Sequence, residues 1–427
     1  TIFTTILFGV APAIRASCVD AGESLKSGSR SGMAPERAFA QRILVIGEVA
    51  LCLVLLAGAG LMFKSFRRVL DVNPGFRAEN LVTMRAQLPD SFKTAAAVTA
   101  FYRRLNERIA AVPGVASETI TERLPITGGE GNGDITIEGR ATADGELGAS
   151  TFRRVAPNYF SVLEIPLLRG RVFDDRDDGS REQVTIINES FARRFWPNED
   201  PIGQRIKIGP RDSASFMRIV GVVGDVHQIS LDSDAPFSTY EPILERPVLR
   251  LDIAARTAGD PSAVIASIRR ELHGLEPNLL IDHEQSMTQR IDDNVAPRRL
   301  NLVLFGLFAS LALLLAAIGL YGVAAYAAGQ RTQEFGIRMA LGAQRGDVLR
   351  LVLGQGIRLA LMGVAIGLAA SLALSRLMTG LLFDVQPADP STLAAVAILL
   401  SIAMLAACWL PAYRATRIAP VEALRAE

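Results

Sequence analysis

The sequence predicts an α-helical transmembrane bundle with an α+β domain inserted outside the cytoplasm. Three observations predict it. Four low-charge apolar runs reach membrane-spanning length. A long segment of ordinary polar texture separates the first run from the second. The Lys and Arg residues gather on segments that alternate threading places on one side. Bulk composition agrees: of 427 residues 49% are hydrophobic and 21% charged, and the mean hydropathy of +0.27 is high for a chain bathed only in water. A net charge of +1 supplies no global field for nucleic acid, so no nucleic-acid partner is expected. The three cysteines, Cys18, Cys52 and Cys408, all lie outside the long middle segment. That segment must therefore be held by an apolar core, not by disulfides.

Taken in order, residues 1–14 are apolar without an initiator Met or a basic leader, and read as the end of a truncated transmembrane helix. Residues 15–42, with Arg15, Lys26, Arg30, Arg37 and Arg42, form a cytoplasmic linker. Residues 43–63, ILVIGEVALCLVLLAGAGLMF, supply the roughly 20 apolar residues that one crossing needs. Residues 64–297 form the extracytoplasmic domain. Within it, 95–112 has helical spacing with Phe101, Leu105 and Ile109 on one face, and 262–275 is a second amphipathic helix. The stretches 184–187, 218–223 and 249–254 are β-branched and read as strands. Gly and Pro punctuate at Pro113-Gly114, Gly128-Gly129, Pro201 and Gly203, leaving room for two lobes.

A transmembrane helix follows at 300–328, then a cytoplasmic coupling segment at 329–356 with Arg331, Arg338, Arg345 and Arg350. Further spans at 357–378 and 391–412 flank a short external loop, 379–390, that has no Lys or Arg. The tail 413–427 returns to the cytoplasm with Arg414, Arg417 and Arg425. Opposing charges at Lys64, Arg67, Arg68, Arg298 and Arg299 border the long domain, where charge counts for little in orientation; Arg376 is a further one. The chain also repeats itself. PAIRASCVDAGESLK at 12–26 and PAYRATRIAPVEALR at 411–425 match in Pro, Ala, Arg, Ala, Glu and Leu at one constant offset, each after an apolar run. Duplication of a span plus a cytoplasmic segment accounts for this.

The stretch 330–347, QRTQEFGIRMALGAQRGD, is the most informative. Phe335, Ile337, Met339 and Leu341 offer apolar contacts at helical spacing. Glu334 and Arg338 stand at i,i+4, a pairing worth about 0.2–0.5 kcal/mol. Gly342 marks a break and Asp347 a cap for the next helix. Such a segment either lies flat on lipid or docks a cytoplasmic partner. Glu48 is the one acid inside an expected span, at a cost of up to about 2.5–3.5 kcal/mol at the bilayer centre. It serves either as helix–helix glue or in transmitting motion. Arg358 and Gln355 begin a span and are expected to snorkel. Gly58, Gly60, Gly363 and Gly367 place small residues on span surfaces, the last two as G-x-x-x-G.

Catalytic and metal-ligating patterns are missing from the sequence. His227, His273 and His283 lack metal-ligand spacing, and neither G-x-S-x-G nor H-E-x-x-H occurs. Asp174, Asp175, Asp177 and Asp178 are expected to form a solvated turn. No G-x-x-x-x-G-K-[ST] cradle for ATP phosphates is present, so no cofactor is expected on this chain.

The string EFGIRMALGA at 334–343 resembles the segment after the external domain in MacB/FtsX-type ABC permeases. Asn158-Tyr159-Phe160, the run Ile165-Pro166-Leu167-Leu168-Arg169-Gly170-Arg171-Val172-Phe173, then Phe195-Trp196-Pro197, Asp200-Pro201-Ile202-Gly203 and VGVVGDV at 220–226 resemble the MacB-like periplasmic core domain. The resemblance implies a multi-pass inner-membrane permease with a periplasmic domain and no catalysis of its own. It implies a permease dimer, a separate ABC ATPase on the cytoplasmic side, and a periplasmic partner. ATPase coupling would fall to Glu334, Phe335, Gly336, Arg338, Ala340, Leu341, Gly342 and Ala343. The implied activity is efflux or lipid and lipoprotein handling. Mechanotransmission to an external partner without transport, and an orphan membrane-anchored binding module, are the alternatives. The chain departs from the four-span pattern by carrying the end of an extra unit in front, which resembles the C-terminal part of duplicated orphan permeases from Acidobacteria.

Overall fold

The computed structural model of the chain describes residues 35–127, 131–140, 148–180, 182–209, 215–330, 334, 335, 337, 338, 341, 344–375 and 383–415. The expectations for 1–34 and 416–427, including most of both repeat copies, lie outside the described residues. The chain divides into two compact units: a membrane unit of Thr1–Leu61, Phe305–Gly380 and Gln386–Glu427, and a head unit of Met62–Leu304 with Leu381–Val385.

Helix α1 is Pro35–Leu70, followed by β1 Leu81–Gln87, α2 Ala95–Ala110, β2 Val115–Thr121, β3 Gly131–Ile137 and β4 Ala149–Val155. Next come α3 Tyr159–Val162, β5 Leu167–Gly170, β6 Val184–Asn188, α4 Glu189–Phe195, β7 Arg205–Ile208, β8 Met217–Val223 and β9 Ser238–Pro242. Then β10 Arg250–Thr257, α5 Pro261–Leu275 and β11 Leu280–Ser286 lead into α6 Met287–Gln330, α7 Arg345–Ser375 and α8 Pro390–Ala415.

Among the described residues four helices, α1, α6, α7 and α8, are long and apolar enough to cross a membrane. Each overruns its expected span, because nothing in the flanking polar sequence stops a helix. In α1, Arg67 and Arg68 fall in the last turn, where cations oppose the negative end of the helix dipole. In α6 the 44-residue helix starts within the head. Inside the membrane unit the buried stripes have spacing near four: Val45, Val49, Cys52 and Leu53 on α1; Ala316, Leu320 and Ala324 on α6; Val396, Leu400, Met404 and Cys408 on α8, with Leu359 and Ala360 of α7 between them.

Among the described residues the head contains an eleven-stranded sheet in two lobes. In the first, the strands run β11-β1-β10-β2, all antiparallel. With α2 between β1 and β2 and α5 between β10 and β11, this is a split βαβ, ferredoxin-like topology. Helix α2 starts because the Thr94 side chain accepts from the Ala97 N–H, and it buries Val98, Phe101, Tyr102, Leu105 and Ile109. Helix α5 starts on Asp260 with Pro261 at the first position and buries Val264, Ile268 and Leu272. Both stripes meet Val82, Met84, Leu251 and Ile253 of the sheet in one core.

The second lobe is inserted between β2 and β10. Its strands close on themselves in the order β4-β3-β7-β8-β6-β9, and β9 pairs in parallel with β4. Strand β6 is buried on both faces: Ile186 lies in a core with Tyr159, Phe160 and Tyr240, and Ile187 in another with Phe191, Phe195 and Trp196. A strand covered on both faces loses the apolar–polar alternation of a half-exposed one, and the two polar residues of β6 are bonded: Thr185 donates to the Tyr240 carbonyl at 2.9 Å and Asn188 to Asp225 at 2.6 Å.

Candidate functional site

The stretch after α6 carries the candidate contact. Phe335 is 2% exposed and packs with Ala328 of α6, Val352 of α7 and Ala412 of α8. Arg338 and Glu334 form an ion pair of 2.5 Å with both side chains about half exposed. Ile337 is exposed, and Leu341 is 83% exposed. The shared apolar contact expected of Phe335, Ile337 and Leu341 is therefore corrected. Ile337 sits about 200° around the helix from Phe335 and faces outward. Gly336, Met339, Ala340, Gly342 and Ala343 lie outside the described residues. Asp347 falls in the first turn of α7 and is not the residue that precedes it. Its Oδ2 accepts from the Gln344 N–H at 3.1 Å while the Asp347 N–H donates to the Gln344 carbonyl at 3.0 Å. The carboxylate still satisfies an orphan donor and opposes the positive helix end.

Inside the membrane unit Glu48 of α1 presses against α6 at Gly319, where a Cβ would lie 2.4 Å from the carboxylate Oε2. That oxygen is buried and accepts no hydrogen bond among the described residues. Gly363 and Gly367 of α7 face α1: a Cβ at Gly363 would lie 2.6 Å from the Val49 Cβ, and one at Gly367 would lie 2.9 Å from the Leu53 Cβ. Small residues here let two backbones approach, as close packing in lipid requires. Gly60 likewise meets Thr392 of α8. Arg358 is exposed, while the Gln355 side chain lies outside the described residues.

The head offers a cleft of about 850 Å³ lined by Val72, Phe76, Leu231 and Ile291 with Glu79, Glu164, Asp225 and Asp292. Asp225 already accepts from Asn188 Nδ2 at 2.6 Å and from the Ser190 N–H at 2.9 Å, and Glu164 pairs with Arg77 at 3.2 Å. Arg77 and Glu189 also line the cleft, so apolar groups and charges of both signs meet there. No metal cluster of His, Cys, Asp and Glu occurs among the described residues. The expected solvated aspartate turn is corrected in part. Asp177 is only 8% exposed and pairs with Arg171 at 2.6 Å. Burial alone would raise its pKa, but the Arg171 hydrogen bond, the Asp174 N–H and the nearby guanidinium charges hold it below the usual range.

Sequence reasoning missed the charged ties in the head. Arg85 of β1 donates from Nε to Asp252 of β10 at 2.7 Å, and Asp252 is fully buried. The signal was present as the one charge, an Arg, in LVTMRAQ and the one acid, an Asp, in RLDIAART. It also missed how the expected external loop is tied down. There the Phe383 N–H donates to Ser65 Oγ at 2.9 Å, and Arg68 pairs with Asp384 at 2.8 Å.

Known families and relatives account for the pattern. The profile described as MacB-like periplasmic core domain matches residues 43–271, and the FtsX-like permease C-terminal profile matches 306–420. The chain is 26% identical over 284 residues to the macrolide export ATP-binding/permease protein MacB of Neisseria gonorrhoeae, covering 63% of this chain and 42% of the relative. It is 29% identical to the pyoverdine export ATP-binding/permease protein PvdT of Pseudomonas putida, covering 62% and 41%. It is 28% identical to the probable syringafactin export protein SyfD of Pseudomonas syringae pv. tomato, covering 63% and 41%. The chain thus spans about two fifths of the length of these relatives. Among solved structures, the periplasmic region of MacB from Actinobacillus actinomycetemcomitans aligns at a TM-score of 0.35 and 16% identity, over 53% of this chain and 98% of that one.

Proposed function

Because the chain belongs to the MacB/FtsX-type ABC permease family, an inner-membrane, multi-pass family with a periplasmic domain, we propose that it couples ATP hydrolysis by a separate ATPase to movement of its head. In this reading the chain performs no catalysis. The ATPase docks on Glu334, Phe335, Gly336, Arg338, Ala340, Leu341, Gly342 and Ala343. The observation that carries the reading is the division of labour in that segment. Phe335 is plugged among the ends of three helices, while the Glu334–Arg338 pair, Ile337 and Leu341 stay exposed. A partner that displaces the exposed face moves the buried ring, and the ring moves α6, α7 and α8 together. Coupling needs such a contiguous packed element, and α6 is one continuous helix from Gln330 to Met287 in the head.

Relatives named for export of macrolide, pyoverdine and syringafactin favour efflux over mechanotransmission, and the amphipathic cleft supports handling of an amphipathic substrate. A permease dimer with two ATPase subunits, and a periplasmic partner, complete the proposal. The test is purification from native membranes. The pair Glu334→Arg with Arg338→Glu is expected to lose the co-purifying ATPase while the chain still inserts. Undiminished ATPase in the variant would contradict the docking assignment.

A further inference from the structure

The first turns of α6 carry a cation that the docking segment does not explain. Arg290 is 6% exposed. Its Nη2 donates to the His283 carbonyl at 3.3 Å, and its Nε has no partner among the described residues. Its charge lies in the field of Asp252, Asp282 and Asp293, opposed by Arg85. The acceptor exists because β11 is bulged. Thr83 pairs with Gln285 but Arg85 pairs with Asp282, so β11 carries one residue more than β1 over this stretch. His283 within it adopts φ +52. A non-glycine residue rarely takes that conformation, and a bulge re-aims groups that would otherwise bond across the ladder. The next residue, Glu284, is tied to Arg269 of α5 at 2.8 Å. Around Arg290, Met287 and Val295 of the same helix are buried in the head core, and Ile291 packs against it.

Apolar contact is non-directional, so a helix held by it alone can slide or turn over a core. A buried guanidinium cannot leave its acceptor and neighbouring carboxylates without standing uncompensated in a low dielectric. We propose that Arg290 is the positioning residue that locks α6 to the ferredoxin-like lobe, so that displacement of α6 is delivered to the sheet β11-β1-β10-β2 through the His283 bulge. This rests on the reading of the chain as a coupled permease, and it adds where the motion enters the head.

The test uses the full chain purified with its ATPase, on a background lacking Cys18, Cys52 and Cys408. Nitroxides at Gln344→Cys, which is exposed and outside the eight docking residues, and at Asn278→Cys report distance with and without ATP plus vanadate. The unsubstituted Arg290 protein is expected to show an ATP-dependent distance change. Arg290→Lys, which keeps the charge but loses the planar fork, is expected to retain about half of it. Arg290→Met is expected to lose at least four fifths of the amplitude with undiminished ATPase co-purification. Full amplitude in both variants would overturn the role of Arg290 and leave the docking proposal standing. If Arg290→Met fails to fold, Arg290→Lys decides: reduced amplitude at an unchanged melting temperature supports the lock, and full amplitude overturns it. A bound ATPase with no distance change before any Arg290 substitution would defeat the coupled-permease reading on which this inference rests, while leaving the docking assignment standing.

Discussion

The head and the membrane unit solve the same packing problem with opposite materials. The head fills its cores with large side chains, and Tyr102, Tyr159, Tyr240, Phe101, Phe160 and Phe191 are among its most buried. The membrane unit also leaves many large apolar side chains on the outside: Leu307, Phe308, Leu315 and Ile318 of α6 are all exposed. It brings Gly363, Gly367 and Gly319 to the inside. Water expels apolar groups, so a domain in water gains about 25 cal/mol for each Å² it buries. Lipid tails are as apolar as leucine, so helices there gain from close approach instead. Burial of a big residue therefore signals stability in one unit and says little in the other.

A cavity separates the two units most sharply. Phe191→Ala in the head, where the ring touches Phe195, Trp196 and Phe237, is expected to cost about 3–5 kcal/mol by urea unfolding. Leu315→Ala, on a side chain 60% exposed toward the lipid phase, should leave the unfolding midpoint unchanged. Equal losses would undo the contrast. Next comes Asp252→Asn. It leaves the Arg85 guanidinium without its carboxylate, and about 3 kcal/mol of head stability should go with it. The surface pair Arg108–Glu271 at 3.3 Å serves as control, since exposed ion pairs contribute only about 0–1 kcal/mol. A smaller effect is expected from overpacking the bundle. Gly367→Val, pushing on Leu53 and the Ala50 backbone, should destabilise detergent-solubilised helices by about 1–3 kcal/mol while the near-ultraviolet circular dichroism of the head persists.

The smallest expected effects come from pH and lie in the head. Burial raises the pKa of Glu241, and the nearby Arg154 and Arg246 only partly offset this. A carboxyl raised on folding favours the native state while protonated. That contribution is complete below its unfolded value of about 4.3 and disappears as pH rises through the folded one. Asp177 works in the other direction: its contribution is present above about 3.9 and is lost as pH falls through its lowered native value. Glu241→Gln should therefore flatten the decline of the urea midpoint above pH 4, and Asp177→Asn the decline below it. Parallel pH curves for both variants and the unsubstituted chain would rule this out.

Much of this architecture could be read from the sequence, for a physical reason. Span-length apolar runs and a stripe such as Phe101, Leu105 and Ile109 are one-dimensional patterns that survive any tertiary arrangement. The aromatic strings around Asn158-Tyr159-Phe160 and Phe195-Trp196-Pro197 carried the resemblance, and their rings occupy the centres of two cores. What escaped the sequence depends on residues distant along the chain. Closure of β9 onto β4, the Arg85–Asp252 tie and the Phe383 contact with Ser65 each join segments that no local periodicity connects. In the candidate site the Glu334–Arg338 spacing was legible, because i,i+4 neighbours meet on any helix. The outward turn of Ile337 was not, because which face is buried is set by α7 and α8.

Coupling across the membrane requires the head and the docking segment to lie in different compartments. Leu280 and Leu341 are 70% and 83% exposed, so single cysteines at these positions report it directly in intact cells treated with a membrane-impermeant maleimide after the outer barrier is opened. Leu280→Cys is expected to label at once and Leu341→Cys only after the inner membrane is permeabilised. Labelling of both before permeabilisation, or of neither, would contradict the account.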